Sequence, residues 1–266
     1  MQSHRNDVLS GSVDYDVVSA NYDRSRKASK ADAGVLLDLL SPLMGSRILE
    51  IGCGTANYLA QLESLAGHVT GLDLSEGMLK TAQSKVRNAD LIRADAVLIP
   101  FHNSVFDAVY CVQVLHHIRD KSAFASETLR ILKPGGRLVI QSCSHEQLST
   151  FCFYHYFPRG LKVDRLRMPD IGVISDLLSA AGFDDITIQP CAIDDAVKDA
   201  PEDYLDKRNR DGDSTFHFLT TTEIEDGCKR IRRDIQSGKA NRVAEELRER
   251  AEEIGGQVSF VRAVKR

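Results

Sequence analysis

A short glycine-containing segment has the residue types and spacing of a nucleotide-binding turn. Gly52 and Gly54 follow the apolar run Arg47-Ile48-Leu49-Glu50-Ile51, and Asp73 stands 21 residues after Gly52. Glycines allow a tight turn and a close approach of a ligand to the backbone. A carboxylate at the end of the next strand accepts hydrogen bonds from both hydroxyls of a ribose. Gly-x-Gly alone is typical of many turns, but with Asp73 it predicts a site for a nucleoside-containing cofactor.

Two residues beside this turn bear on which cofactor it binds. Asn57 stands where a dinucleotide-binding turn needs a third glycine for close helix packing and approach of a pyrophosphate. Glu50 directly precedes the turn, where its charge repels a pyrophosphate but attracts, directly or through water, the ammonium of a methionine moiety. Both residues favour S-adenosylmethionine (SAM) over NAD, and an NAD-dependent oxidoreductase is the disfavoured alternative.

Two further pairs of residues follow predicted strands. Asp95 suits a hydrogen bond from an adenine amino group, with Ala96 against the ring, and its alternative is an ordinary N-cap or turn aspartate. Gln113 and Val114 end the fourth predicted strand. Because ligands of such sheets lie at the carboxyl ends of strands, we expect this pair to line the methionine arm.

Histidines near the same strand ends are candidate proton acceptors. Methyl transfer from a sulfonium depends mainly on positioning, and a base is needed only when the acceptor must lose a proton. His116 follows the fourth strand, His145 follows the fifth, and His155 lies in an aromatic segment. For each the alternative is a structural role, and for His116 and its neighbour His117 a helix-start pair that packs and hydrogen-bonds is the favoured interpretation.

These residues need a sheet of parallel strands to bring them together. Apolar runs predict strands at 47–51, 68–74, 91–95, 106–114 and 137–141, and helical patterns lie between them at 58–66, 76–87 and 121–132. Strands that alternate with helices predict βαβ units, so we expect an α/β fold with a doubly wound, Rossmann-like sheet.

The alternation breaks after Ser144. Insertions are predicted at 145–168 and 193–254, separated by a helix (170–181) and a strand (186–188), and residues 258–264 alternate like a final strand. Five aromatic residues in 151–157 either pack as a lid or shape an acceptor pocket. The charged stretch 202–250 predicts exposed helices, with a homodimer contact or a cap over the acceptor as alternatives. Four cations follow the aromatic run and suit an anionic, partly apolar acceptor or a salt-bridged loop: Arg159, Lys162, Arg165 and Arg167.

Length and composition limit the class of protein. A chain of 266 residues is long enough for one domain with embellishments, so a single domain over 1–266 is expected. A net charge of −4 makes a nucleic-acid partner a weak candidate. The first twenty residues are polar, no run suits a membrane span, and no cysteines form Cys-x-x-Cys. We therefore expect a cytoplasmic protein with free thiols and no metal site.

The ordered motifs together resemble one enzyme family. They are Leu49-Glu50-Ile51-Gly52-Cys53-Gly54-Thr55, Asp73, Asp95-Ala96, Val114-Leu115-His116-His117-Ile118 and Leu132-Lys133-Pro134-Gly135-Gly136. From about residue 12 to 144 the chain resembles the class I SAM-dependent methyltransferases of the ubiquinone/menaquinone-biosynthesis type. The openings Asp14-Tyr15-Asp16 and Asn21-Tyr22-Asp23 also fit, because family members fold such a segment over SAM.

The resemblance implies a fold, a cofactor site and a reaction. It implies a seven-stranded sheet whose last strand is antiparallel, an N-terminal cofactor-covering segment 1–45, and acceptor-side insertions at 145–168 and 193–254. The reaction implied is methyl transfer from SAM to a small-molecule acceptor, with S-adenosylhomocysteine as product. The residues expected at the cofactor are Tyr15, Tyr22, Arg26 (at the SAM carboxylate), Glu50, Gly52, Cys53, Gly54, Asn57, Asp73, Leu74, Met78, Asp95, Ala96, Gln113 and Val114.

Two other functions remain open at this point. One is a SAM-binding partner or regulatory module without catalysis, since a cofactor turn argues for binding and not for turnover. The other is an RNA or protein methyltransferase. Against the latter, no Asn-Pro-Pro-Tyr motif follows the fourth predicted strand, and the acidic balance disfavours RNA.

Overall fold

The central sheet is built from the apolar runs that the sequence marks as strands. A computed structural model of the chain describes residues 13–25, 28–41, 45–63, 67–192 and 199–266. Its seven strands are arranged in the order β3-β2-β1-β4-β5-β7-β6. The strands are β1 (Arg47–Ile51), β2 (His68–Asp73), β3 (Asp90–Arg93), β4 (Phe106–Val112), β5 (Leu132–Ser142), β6 (Phe183–Cys191) and β7 (Val258–Lys265).

The directions of the strands agree with the predicted doubly wound sheet. Strands β1 to β5 are parallel to one another, whereas β7 runs antiparallel to both β5 and β6. The Rossmann-like seven-stranded sheet with an antiparallel last strand is therefore confirmed. The order reverses between β1 and β4, and in doubly wound sheets the crevice for a ligand opens at the carboxyl ends of such a pair.

Helices cover both faces of the sheet and one end of it. They are α1 (Tyr15–Ser25), α2 (Lys30–Leu40), α3 (Leu59–Leu62), α4 (Glu76–Ala82), α5 (Lys121–Ile131), α6 (His145–Leu148), α7 (Cys152–Tyr156), α8 (Pro158–Arg167), α9 (Ile171–Ala181), α10 (Lys207–Asp211), α11 (Thr221–Gln236) and α12 (Lys239–Glu253). Short 3₁₀ turns occur at Leu115–His117, Pro201–Leu205 and Ser214–Phe218.

Side-chain caps fix where several helices begin. The hydroxyl oxygen of Ser29 accepts from the Asp32 N–H at 3.1 Å before α2, and that of Ser75 accepts from the Met78 N–H at 3.1 Å before α4. Asp120 caps α5 in the same way at 2.9 Å. Such caps satisfy orphan donors of the first helical turn.

Three apolar cores hold these layers together. Residues such as Leu49, Val109 and Ile140 pack under α5 and α9 on one face, and residues such as Ile48, Leu36 and Val139 pack on the other. A third core lies outside the sheet and belongs to residues 145–168 and 199–253, hereafter the cap. Its buried members are Phe153, Tyr156, Phe157, Phe216, Cys228 and Ile231.

The cap differs from the sequence expectation in one respect. Residues 145–168, which show no clear period, form the helices α6, α7 and α8. Helices α6 and α7, of four and five residues, are too short to display a 3.6-residue repeat, and α8 is mostly polar, so periodicity does not detect them. Strand β5 also begins at Leu132 instead of residue 137, because Leu132 pairs with Phe106 before a register shift.

Candidate active site

One cavity runs from the carboxyl ends of β1 and β4 to the inner surface of the cap. Its sheet side is lined by the Gly52-to-Asn57 turn, Glu50 and Gln113, and α1 contributes Tyr15 and Tyr22. Strand β5 and the residue after it contribute Gln141 and Cys143. The cap and the segments beside it supply the remainder, which includes Asp32, Tyr58, Leu148, Phe151, Phe153, Tyr154, Asp164, Met168, Tyr204, Asp213, Ser214 and Thr215. The cofactor-side motifs and the insertion thus share one space.

The glycine turn has the backbone that its sequence predicts. Gly52 and Gly54 have φ of +69° and +52°, the left-handed region that favours glycine. The N–H of Gly52 donates to the Leu72 carbonyl at 2.7 Å. One oxygen of Asp73 accepts from the Gly54 N–H at 2.8 Å and the other from the Ser75 N–H at 2.9 Å. Asp73 therefore ties the turn to the start of α4.

Glu50 is a buried carboxyl group in the cavity wall. Its side chain is 2% exposed and accepts a hydrogen bond from the Tyr110 hydroxyl at 2.9 Å, because β1 and β4 place these residues side by side. Burial raises the pKa of Glu50 to about 8, and the negative charge of Asp73 adds to this effect. At neutral pH the group is mostly protonated, and a cation beside it favours the carboxylate.

Helix α1 is held across the turn by a polar clamp. The Asp23 carboxylate accepts from the Thr55 hydroxyl at 2.5 Å and from the Asn57 amide at 3.1 Å. The Lys85 ammonium lies 2.6 Å from Asp23 and donates to the Asn57 carbonyl oxygen at 2.7 Å. Asn57, which stands where a dinucleotide-binding turn has its third glycine, thus supplies both a donor and an acceptor to the clamp.

Two further contacts dock α1 beside the cavity. Asp16 accepts from the Ser75 hydroxyl at 2.5 Å and from the Gly77 N–H at 2.8 Å, and these bonds hold the pKa of Asp16 below its ordinary value. The Tyr15 hydroxyl lies 2.7 Å from Nε2 of His117. Helix α1 also packs against α10 of the cap. The helix therefore touches both the cofactor side and the cap.

Replacement of Asp23 by alanine is expected to loosen α1 without unfolding the sheet. The variant loses the carboxylate that joins Thr55, Asn57 and Lys85, which should lower the local stability of α1 by about 1–2 kcal/mol. Hydrogen exchange of the α1 backbone amides, which measures this stability, should then be roughly 5- to 30-fold faster. Asp38→Ala, an exposed position on α2, is the control. Equal exchange of α1 in both variants would show that the clamp does not hold the helix.

Two buried carboxylates mark the other half of the cavity. Asp32, at the start of α2, accepts from the Tyr58 hydroxyl at 3.1 Å and the Gln141 amide at 2.8 Å. Asp164, on α8, accepts from the Tyr154 hydroxyl at 2.9 Å and the Thr215 hydroxyl at 2.7 Å. Burial raises the pKa of Asp164, although Arg167 opposes this shift.

The candidate histidines fall into two groups. His116 and its neighbour His117 line the cavity, with ring centroids 3.9 Å apart. His145 lies outside the cavity wall, with Nε2 2.9 Å from the Met168 carbonyl oxygen and Nδ1 3.6 Å from Asp170. His155 is exposed and packs edge-on against Tyr156. This geometry gives no support for His145 or His155 as a proton acceptor at the cavity.

Several expected cofactor residues do not line the cavity, namely Asp73, Leu74, Met78, Asp95, Ala96 and Val114. Asp95 is exposed and accepts from the Val97 N–H at 3.1 Å, as in an ordinary aspartate turn, and Ala96 packs on the adjacent core. Leu74 is 64% exposed, whereas Met78 is buried. Their roles at an adenosine group stay predictions. Arg26 lies outside the described residues.

The four cations expected to attract an anionic acceptor do not line the cavity. Arg167 is paired with Asp164 at 3.1 Å, and its guanidinium stacks over Phe218 at 4.5 Å. Arg159 pairs with Glu223, and Lys162 and Arg165 are exposed. The salt-bridged alternative describes these residues better, and the geometry gives no support for an anionic acceptor.

Sequence reasoning missed the residues that form the cap half. Asp32 is an aspartate in the first turn of a helix, where acidic residues are common for reasons unrelated to ligands. Asp164 is surrounded by basic residues, which hid its burial. Tyr58 follows the glycine turn closely, and Gln141 lies near the carboxyl end of β5. Closeness to these strand ends was the only signal in the sequence that could have identified them.

The described ranges show neither a metal site nor a membrane-spanning helix. No group of three or more histidine, cysteine, aspartate or glutamate side chains there is arranged to hold a metal ion. Within the same ranges, no helix has the length and apolar character needed to cross a membrane. All six cysteines are free thiols, and Cys191 alone of them is half-buried instead of buried.

Comparison with known proteins identifies the domain type. Residues 49–140 match the family described as "Methyltransferase domain". The chain is 34% identical over 134 residues to a demethylmenaquinone methyltransferase of Clavibacter sepedonicus, which covers 47% of this chain and 55% of that protein. The match thus spans a little over half the length of this curated relative.

Solved structures support the same fold. A protein of Anabaena variabilis, described as a methyltransferase from an antibiotic biosynthesis pathway, superimposes with a TM-score of 0.77 at 22% identity, over 90% of this chain and 98% of that chain. A phosphoethanolamine N-methyltransferase of Haemonchus contortus superimposes with a TM-score of 0.61 at 19% identity, over 96% of this chain and 60% of that chain. These two structures show the fold, and the sequence matches to the methyltransferase domain and to the demethylmenaquinone methyltransferase confirm the predicted resemblance.

Proposed function

Since the chain carries a class I SAM-dependent methyltransferase domain, we propose that it transfers a methyl group to a small-molecule acceptor by in-line displacement, mainly by positioning. One observation carries this proposal: a single cavity joins the glycine turn after β1 to an inner wall of the cap. A cofactor site alone needs no such extension. The extension favours an enzyme over a SAM-binding module without catalysis.

The donor set of the cavity fits SAM. A Cβ atom on Gly54 would lie 3.8 Å from the Tyr22 ring, in van der Waals contact, so α1 lies directly against the turn. Glu50 in the wall would supply a carboxyl group for the methionine ammonium. Asp73 anchors the turn but does not line the cavity, and it has acceptor sites left for a ribose after its two backbone bonds. Tyr15 and Tyr22 on α1 would cover the cofactor, in agreement with a covering segment 1–45.

The protein's own contribution to the reaction is geometric. When bound, SAM supplies a methyl group on a positively charged sulfur, which leaves with the electron pair of the C–S bond. The cap, which belongs to the predicted acceptor-side insertions, would hold the acceptor about 3 Å from the methyl carbon and exclude water. His116 is the best placed candidate to take a proton, for acceptors that must lose one.

The Asp73→Ala variant tests the cofactor assignment. Calorimetric titration of the wild type is expected to detect SAM and S-adenosylhomocysteine but not NAD. Loss of the charge-assisted bonds to the ribose and of the anchor of the turn is expected to weaken SAM by about 10- to 100-fold. Asp176→Ala, an exposed position on α9, is the matched control.

Each result has a distinct meaning. Unchanged SAM affinity in Asp73→Ala would contradict the ribose assignment alone. A folded, ligand-free wild type that binds neither sulfur compound would overturn the proposed function. Once binding is established, transfer of a labelled methyl group to a panel of small molecules tests turnover.

A further inference from the structure

A buried carboxylate in the cap joins two hydroxyl groups of the cavity wall. Asp164 on α8 is 3% exposed and lines the cavity together with Tyr154 and Thr215. One of its oxygens, Oδ2, accepts from the Tyr154 hydroxyl at 2.9 Å and from the Thr215 hydroxyl at 2.7 Å. The other, Oδ1, accepts from the Arg167 guanidinium at 3.1 Å. Helices α7 and α8 and the 3₁₀ turn Ser214–Phe218 thus meet at one carboxylate.

This carboxylate fixes the direction in which both hydroxyl groups donate. Although burial raises the pKa of Asp164, Arg167 opposes this shift and favours the ionised form, which is only an acceptor. Burial, and then the charge of Asp164, raises the pKa of Tyr154 well above its ordinary value, so its hydroxyl keeps its hydrogen. A hydroxyl group has one hydrogen, and in Tyr154 and Thr215 that hydrogen is donated to Asp164. The two oxygens therefore present lone pairs, which accept, to a ligand in the cavity.

Aromatic rings stand beside these two acceptors. Phe151 and Phe153 line the cavity as Tyr154 does, and the centroid of the Tyr154 ring lies 6.2 Å from that of Phe151 and 4.8 Å from that of Phe153. Such rings pack against an aromatic or apolar body and leave orientation to a few polar groups. A ligand with an O–H or N–H group can pair with the lone pairs, whereas a ligand that only accepts loses its water without a new partner there.

We propose that Asp164 determines which acceptors bind: it orients the hydroxyls of Tyr154 and Thr215 so that the cavity selects a hydrogen-bond donor, a hydroxyl or amino group, on an aromatic or apolar body. Asp164 acts through the two hydroxyls and is thus a positioning residue. The inference rests on the proposed function, which assigns this half of the cavity to the acceptor. It concerns recognition, whichever atom of the molecule receives the methyl group.

Replacement of Asp164 by asparagine is expected to reverse the direction of both hydrogen bonds. Arg167 needs an acceptor, so the amide oxygen takes the place of Oδ1 and the NH₂ group takes the place of Oδ2. Its two hydrogens are then donated to the oxygens of Tyr154 and Thr215, whose own hydrogens turn to the ligand. A purely structural role of Asp164 would weaken all ligands together and would not exchange their order.

The test compares ligands that share one ring and differ in their polar group. Para-ethylphenol and para-ethylaniline carry a donor, and para-ethylbenzonitrile carries only an acceptor. Each is titrated calorimetrically into the full chain, with and without saturating S-adenosylhomocysteine. The wild type is expected to bind one or both donors about 5- to 30-fold more tightly than the nitrile, and the tighter of the two tells a hydroxyl from an amino group.

Three variants and a control assign the preference to this network. Asp164→Asn is expected to bind the nitrile at least as tightly as the donors. Tyr154→Phe and Thr215→Val each remove one oxygen, and each is expected to reduce the preference for a donor without reversing it. Asp176→Asn, the same change at an exposed position on α9, is expected to leave the preference as it is.

The outcomes separate this inference from the proposed function. Nitrile binding as tight as that of both donors in the wild type, including no detectable binding of any probe, overturns the inference. A donor preference that Asp164→Asn leaves unchanged overturns the role of Asp164. If that variant does not fold, an unchanged preference in both Tyr154→Phe and Thr215→Val overturns it, and a reduced one supports it. Failure of S-adenosylhomocysteine to bind strikes the proposed function, while the titrations without it still rank the probes.

Discussion

Replacement of Gly52 by alanine is expected to abolish measurable SAM binding and to lower the free energy of unfolding by about 2–4 kcal/mol. The backbone there has φ of +69°, and an added Cβ would lie 2.5 Å from a methyl carbon of Val114. Either the turn or the chain after β4 must shift, and both border the cavity. Denaturant unfolding measures the stability, and calorimetry measures the affinity.

Gly135→Ala is the matched control, because it separates backbone strain from the steric clash. Gly135 also has a positive φ, +76°, but a Cβ there meets no atom within 4 Å. We expect it to cost about 1–2 kcal/mol of stability and to leave SAM affinity unchanged. If Gly52→Ala behaved like Gly135→Ala in both measurements, close packing of the turn against Val114 would have no role in cofactor binding.

The sequence predicts well those parts of the molecule whose structure is determined by residues close together in the chain. The β1 turn depends on glycines that accept a positive φ, and the sheet order follows from apolar runs that alternate with helices. Glu50, Gly52, Gly54 and Gln113 were accordingly expected at the cavity, and the structure places them in its wall. Their position follows from the parallel direction of β1 and β4, whose carboxyl ends lie at the same edge of the sheet.

The cap half could not be predicted in the same way. Asp32 and Gln141 are 109 residues apart in the chain, and Asp164 and Thr215 are 51 residues apart. Nothing local distinguishes these side chains from ordinary surface residues, since their burial depends on how α2, α8 and the cap pack. The basic run stayed open between two interpretations for the same reason, because only tertiary packing reveals that Arg167 pairs with Asp164 and that the four cations do not line the cavity.

A second large effect is expected from Glu50, whose protonation should be coupled to the cofactor. With a pKa of about 8 in the ligand-free protein, Glu50 holds a proton at pH 7, and the methionine ammonium favours its carboxylate. SAM binding should then release about one proton, and affinity should rise by about tenfold per pH unit between about pH 6 and pH 7.5. Calorimetry in buffers of different ionisation enthalpy measures the proton count.

Stability and affinity should respond to pH in opposite directions over this range. The raised pKa means that, between about 4.5 and about 8, the folded protein holds a proton at Glu50 that the unfolded chain has lost, so this group's contribution to ligand-free stability falls as pH rises. Glu50→Gln keeps an acceptor for the Tyr110 hydroxyl but cannot titrate, so it should remove both pH dependences and weaken SAM by about 10- to 100-fold. Glu249→Gln, exposed on α12, should change neither. Binding without proton release in the wild type near pH 6.5 would place the ammonium elsewhere, because an ammonium beside Glu50 favours the carboxylate and lowers its pKa.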